Sequence, residues 1–391
     1  MKSFVLEKLP KVYFGENCLE QSLEKEINNI GNNVLITYGK NSVKENGILD
    51  RVKNILIKYN KNIFEFNGIM SNPTYQKVLD GISIAKTNKI DYIIAIGGGS
   101  VIDASKIISA GILIDDDIWD LEFNQKKLPN IFVPMASIVT ASGTGAEMNN
   151  KGVITNEKIK IKRSIVGAIS DFVILDPTLT LTVPKRQMIS GAFDTLSHLM
   201  ETYFGKPLSD NISDDMNETL MKNLIKKIKE YLKNPNDLYI RGELMWVSSL
   251  AESSILMLGK VIDFQCHQIE HQLGAFTDCN HGEGLAVIHP KLYRHIYKNG
   301  ITKFVSFAIN VWNININTKN DEEIALAGIK ELENFIKEID LPTTFNEINI
   351  KLDENILKEI ANSTIIKEGC MKKLSFEEIY EILKECVGDN K

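Results

Sequence analysis

Short apolar runs rich in β-branched residues alternate with amphipathic stretches through the first half of this chain, and that alternation most constrains its fold. Asn33 to Tyr38 (NVLITY), Asn62 to Phe66 and Asp91 to Ile96 (DYIIAI) read as strands. Segments from about Ser42 to Tyr59 and from about Thr74 to Thr87 show helical periodicity, the second following the turn Ser71-Asn72-Pro73. Strand, helix, strand at this spacing predicts a parallel sheet with right-handed crossovers. Runs without polar alternation suit a sheet covered on both faces.

Residues 126–184 are richer in Gly, Thr and Pro and read as strands and loops. Beyond Pro184 the pattern changes to long helical periodicity, as in Glu218 to Leu232 and Glu322 to Ile339. The expectation is an α/β domain over residues 1–184 and an all-α domain over 185–391. Lys and Arg are interspersed with acids at a net charge of −6, so no basic face for nucleic acid is expected. The longest apolar runs, Tyr92 to Ile96 and Ile131 to Met135, are far too short for a membrane span. Glu7 and Pro10 interrupt the apolar stretch that a signal peptide would need. Cys18, Cys266, Cys279, Cys370 and Cys386 form no CxxC pair, the thiol usage of a reducing compartment. The chain reads as cytoplasmic.

Two features can carry chemistry. Gly97-Gly98-Gly99-Ser100 stands between the strand DYIIAI and the helical stretch VIDASKIISA. Glycines there let a backbone approach a diphosphate, and free N–H groups at the helix start favour an anion. Asp103 falls in the first turn of that helix. Position 102 is Ile, so the GxGxxG fingerprint is absent, and a plain tight turn is the competing reading. The second feature is the histidines: four of the six lie in two windows. Asp194 and His198 are four apart, as are His267 and His271, and His281 follows in the Gly-flanked loop NHGEG. One carboxylate and three imidazoles suit a divalent transition metal, Fe2+ or Zn2+. Gln-Ile-Glu between His267 and His271 breaks the HExxH order of zinc peptidases. Cys266, next to His267, points about 100° away on a helix. Cys279 remains open as a thiolate ligand, with a neutral buried thiol as the alternative.

With both features located, the chain resembles the iron-containing alcohol dehydrogenase family over essentially its whole length. The matching stretches are GGGSVIDASK, TASGTGAE, GAFDTLSHLMETY and HQIEHQLGAF with HGEGLAVIHP. TYGKNSVKENGILDRV and HxxEHxL look most like the butanol dehydrogenase and broad-specificity aldehyde reductase branch. The resemblance implies a dehydroquinate synthase-like fold, with the active site in a cleft between an α/β dinucleotide domain and a helical metal domain. It implies hydride transfer between NAD(P)(H) and short-chain primary alcohols or aldehydes, butanol and butanal among them. It assigns Asp194, His198, His267 and His281 as metal ligands, and places His271 near the metal and nicotinamide, where it could relay a proton. Gly98, Gly99 and Ser100 match its diphosphate-binding turn, with Gly97 and Asp103 beside them as further cofactor-binding candidates, and Thr140 and Ser142 match positions near the phosphates and nicotinamide. Lys160 matches a cofactor-ribose lysine, with Lys162 as rival.

NAD-preferring members place an Asp just after the first strand; here Gly39, Lys40, Asn41 and Ser42 stand there. NADP(H) is therefore expected over NAD(H). Family members are commonly homodimers, and Phe4 to Phe14 could pair across an interface as an edge strand. Two alternatives stand beside this reading. One is a glycerol dehydrogenase-like or dehydroquinate synthase-like enzyme of the same superfold, which would use three protein ligands. The other is a non-catalytic metal- or nucleotide-binding protein.

Overall fold

A computed structural model describes residues 3–6 and 9–388. Its strands are β1 (Lys11–Phe14), β2 (Asn33–Tyr38), β3 (Asn62–Phe66), β4 (Tyr92–Gly97), β5 (Met135–Val139), β6 (Lys151–Asn156), β7 (Ile161–Val166) and β8 (Phe172–Leu175). Six of them form one sheet in the order β1-β8-β5-β4-β2-β3, every pairing parallel. β6 and β7 make a separate antiparallel hairpin, which the apolar runs of residues 126–184 did not distinguish from sheet strands.

The sheet is covered on both faces. Val34, Ile36, Ile94, Ile96 and Ile138 pack into one core with α1 (Leu19–Glu26) and α3 (Ile48–Lys58). Leu35, Ile93, Ala95, Met135 and Val139 pack into the other with α4 (Tyr75–Thr87), α5 (Gly99–Ile112) and α6 (Ile118–Phe123). The period of two sends alternate residues of one run to opposite cores, each fully buried aliphatic chain worth about 1.5–3 kcal/mol. The helix expected over 42–59 is two helices, a short α2 (Ser42–Glu45) and α3, because Gly47 takes a left-handed φ of +74° between them.

C-terminal to Pro184 come α7 (Lys185–Tyr203), α8 (Ile212–Lys233), α9 (Leu238–Ala251), α10 (Gln265–Thr277), α11 (His281–Ile296), α12 (Ile301–Asn310), α13 (Asp321–Glu338), α14 (Glu354–Ser363) and α15 (Phe376–Val387). The chain divides into two compact units: residues 9–184 with 236–252, and residues 3–6, 185–235 and 253–388. α9 therefore packs with the sheet, although it follows Pro184. Met245 enters the α4/α5 core, the Arg241 guanidinium donates to the Thr180 carbonyl, and the Ser248 hydroxyl accepts from the Gly143 N–H.

In the helical unit every residue of α7 from Met188 to Tyr203 is buried. A helix enclosed all round must bring partners for its polar side chains, and α7 carries Asp194, Ser197, His198 and Glu201. β1 is an edge strand, paired on one side to β8. Of the Phe4-to-Phe14 stretch, only residues 11–14 are strand among those described; Glu7 and Lys8 lie outside the described residues.

Candidate functional site

Asp194 and His198 stand one turn apart on α7, so both project from one face. His267 comes from α10 and His281 from the first residue of α11. Asn280 caps α11 by accepting the Glu283 N–H, and the Ser190 hydroxyl of α7 donates to the same Asn280 oxygen. A Cβ on Gly282 would sit 2.2 Å from the Ser190 carbonyl oxygen, so only glycine lets α11 begin this close to α7. That approach delivers His281 to Asp194.

Asp194, His267 and His281 bring their donor atoms together as one compact group, and His198 approaches it at Asp194. The Nε2 atoms of His267 and His281 each lie 3.4 Å from Asp194 Oδ1, and His198 Nε2 lies 3.7 Å from it. Tetrahedral donors about 2.1 Å from a shared ion stand about 3.4 Å apart. Asp194 Oδ1 and His267 Nε2 are fully buried and make no hydrogen bond, which is costly unless something else satisfies them. His267 packs against the rings of Phe264 at 4.8 Å and His198 at 4.5 Å, which lie 5.8 Å from each other. His271 is buried beside the cluster, its ring stacked on His281 at 5.7 Å, and with Glu270 and His281 it forms a second group able to hold a cation.

Two carboxylates orient these rings from behind. Glu201 bonds His267 Nδ1 and Glu270 bonds His281 Nδ1, which turns both Nε2 atoms toward Asp194 and lets them offer lone pairs to a cation that displaces their protons. Neither glutamate was singled out from the sequence, although Glu201 is seven residues from Asp194 and Glu270 three from His267, both on the ligand faces of their helices.

Burial would raise the Asp194 pKa, but the imidazoles of His198 and His281 outweigh it and hold the carboxylate well below its usual range. Burial pushes His198 down to about 3, keeping it a neutral donor. Burial opposes charge on His267 too, yet Glu201 and Asp194 raise it to about 10; Glu270 and Asp194 likewise raise His281 against burial. The pocket thus gathers three carboxylates around the imidazoles, holding His267 and His281 toward their charged forms, and so attracts positive charge. Nitrogen and oxygen donors of this kind fit Fe2+ or Zn2+. The Cys266 thiol faces the Leu285 carbonyl and the Cys279 thiol the Asn280 carbonyl; neither belongs to the donor groups.

In the sheet unit, Gly39, Gly97 and Thr140 stand at the carboxyl ends of β2, β4 and β5. β2 and β4 flank the point where strand order reverses, the place where parallel α/β sheets bind ligands. Gly97 and Gly99 are buried for packing: a Cβ on Gly99 would sit 2.3 Å from Thr144 Oγ1. Gly98, Ser100, Thr140 and Ser142 are half-buried, and Lys40, Asn41 and Ser42 are exposed.

Asp103 is turned inward, away from the role the sequence gave it. It accepts the Val153 N–H of β6 and faces Lys106 at 3.7 Å, and burial raises its pKa to about 6. Lys160 occupies the exposed end of the β6–β7 hairpin at φ +52°, whereas Lys162 is buried with its ammonium on Asn72 Oδ1 at 2.9 Å.

Comparison with known proteins agrees with the geometry. The family model described as iron-containing alcohol dehydrogenase matches residues 10–177, and the C-terminal model of the Fe-containing alcohol dehydrogenase family matches residues 188–387. The chain is 37% identical over 392 residues to NADH-dependent butanol dehydrogenase A of Clostridium acetobutylicum, covering 98% of this chain and 100% of that protein. It is 30% identical to the NADPH-dependent aldehyde reductase YqhD of Escherichia coli, over 90% of each. The crystal structure of NADH-dependent butanol dehydrogenase A from Thermotoga maritima superposes with a TM-score of 0.93 at 31% identity, covering 99% of both chains.

Proposed function

The chain belongs to the iron-containing alcohol dehydrogenase family and is an NAD(P)-dependent alcohol/aldehyde oxidoreductase, and within that activity we propose that it interconverts short-chain primary alcohols and aldehydes such as butanol and butanal. The observation that carries the reading is the convergence of three imidazole nitrogens on the buried Asp194 Oδ1. A bound divalent ion supplies a Lewis acid for the substrate oxygen, and the nicotinamide supplies or accepts the hydride.

Asp194, His198, His267 and His281 hold the ion, iron by family and with Zn2+ as the alternative occupant. Glu201 and Glu270 fix the tautomers of the two histidines behind it. His271 moves the proton to or from the substrate oxygen, an assignment supported by its imidazole lying beside His281. His198, 3.7 Å from Asp194 Oδ1, supports a fourth donor, which favours this chemistry over that of relatives using three protein ligands.

NADPH is the proposed reductant. No acid occupies the turn after β2, so a 2′-phosphate meets Gly39, Lys40, Asn41 and Ser42 without repulsion. Gly98, Gly99, Ser100, Thr140 and Ser142 take the diphosphate side. Lys162, in β7 beside the hairpin turn and held by Asn72, is the cofactor lysine in preference to Lys160. The relatives use both nucleotides, so the choice rests on residues 39–42.

A screen of NADPH against NADH with C2 to C6 aldehydes tests reaction, nucleotide and chain length together. NADPH-dependent butanal reduction is expected; no oxidation of either nucleotide with any aldehyde would overturn the reading. We also propose a cytoplasmic homodimer, supported by five free thiols and by the edge strand β1 with Phe14 exposed. Light scattering should give twice the 44.0 kDa of one chain.

A further inference from the structure

His289 on α11 is wholly buried in the helical unit, with no function yet accounting for it. Phe193 meets its ring edge-on and Tyr293 lies at 5.0 Å, so the imidazole is wedged in one orientation. Its Nε2 lies 2.6 Å from the Ser197 hydroxyl, and that hydroxyl oxygen lies 3.5 Å from His267 Nδ1, beside the Glu201 carboxylate.

If His267 binds an ion through Nε2, the direction of its own hydrogen bonds follows. Nδ1 must carry the proton, which it donates chiefly to Glu201, with the Ser197 oxygen as a second acceptor. The Ser197 hydroxyl then has its own proton to give, and His289 Nε2 is the acceptor in reach. Burial pushes His289 far below the usual histidine range, so its ring is neutral and able to accept.

We propose that His289 is a positioning residue of the metal centre: by accepting the Ser197 hydroxyl proton it turns a second oxygen lone pair toward the Nδ1–H of His267. Two acceptors behind His267 make the ring a stronger donor and fix its plane more tightly than Glu201 alone. This inference rests on His267 being a metal ligand.

Metal affinity, measured by chelator competition on the full-length protein, tests it. His289→Phe and Ser197→Ala should each weaken binding of Fe2+ or Zn2+ about tenfold, the lower end of what outer partners of metal ligands are worth. The double variant should lose no more than either single one, because both changes break the same link. His289→Gln, whose amide oxygen can accept the hydroxyl proton, should recover most of the affinity. Equal affinity in His289→Phe and the unaltered protein would overturn the proposal, as would additive losses or an equal loss in His289→Gln. If the unaltered protein bound no metal, the metal assignment itself would fall.

Discussion

Glu201 determines which nitrogen of His267 points at Asp194, so its replacement should act on the ion before it acts on the fold. Glu201→Gln is expected to lower metal affinity by about 10- to 100-fold, read by chelator competition; unchanged affinity would remove Glu201 from the site. Gly39 offers a matching test for the nucleotide. A Cβ there would come no nearer than 3.5 Å to the Ile69 carbonyl oxygen, so Gly39→Asp adds a carboxylate without a clash. The ratio of kcat/KM for NADPH over NADH should fall by about tenfold or more, the repulsion of one unit charge from a 2′-phosphate near a surface.

At this scale the sequence was most legible where helical spacing reports a shared face. Asp194 with His198, and His267 with His271, stood out by that spacing, and His281 because imidazoles are rare and it follows them closely. Glu201 and Glu270 sat in the same windows, but acids on helices usually face solvent, so their burial against histidines was not visible. His289 was isolated in the sequence, and its partner Ser197 lies 92 residues away.

Among the elements, the start of α11 and the edge strand β1 each make a prediction. Gly282→Ala places a methyl against the Ser190 carbonyl and must push α11 from α7. It should cost about 1–3 kcal/mol of stability and lower metal content, since His281 begins that helix. Denaturant unfolding with elemental analysis checks both.

β1 is tied to α1 through Glu26, whose carboxylate receives Lys11, the Tyr13 hydroxyl and Asn29. Burial alone would raise the Glu26 pKa, but these partners bring it from 4.5 to about 2. Because the folded value lies below the unfolded one, the stabilisation is present above pH 4.5 and is lost as pH falls toward 2. It should amount to about 1–2 kcal/mol, discounted because Lys11 stands in solvent. Glu26→Gln should therefore show a shallower acid limb in stability than the unaltered protein; identical limbs would contradict this. Strands β2, β3 and β4 and helices such as α4, α8 and α13 followed from apolar periodicity. The break between α2 and α3 followed from one glycine, and the placing of α9 from contacts such as Arg241 to Thr180, 61 residues apart, which no local pattern contains.

For the molecule as a whole, the change at Pro184 from strand alternation to helical periodicity made the α/β and α-helical parts legible, because each packing mode needs its own apolar period. The convergence of three helices on one carboxylate was not legible, since periodicity orders residues within an element and not between elements. The account depends most on that convergence: Asp194, His198, His267 and His281 hold one divalent ion that the alcohol/aldehyde chemistry requires. Elemental analysis combined with NADPH-dependent butanal reduction, before and after chelation and on return of Fe2+ or Zn2+, tests it most directly. One ion per chain, activity lost with it and regained on its return, is the predicted result. Full activity in protein shown to be free of metal would contradict it.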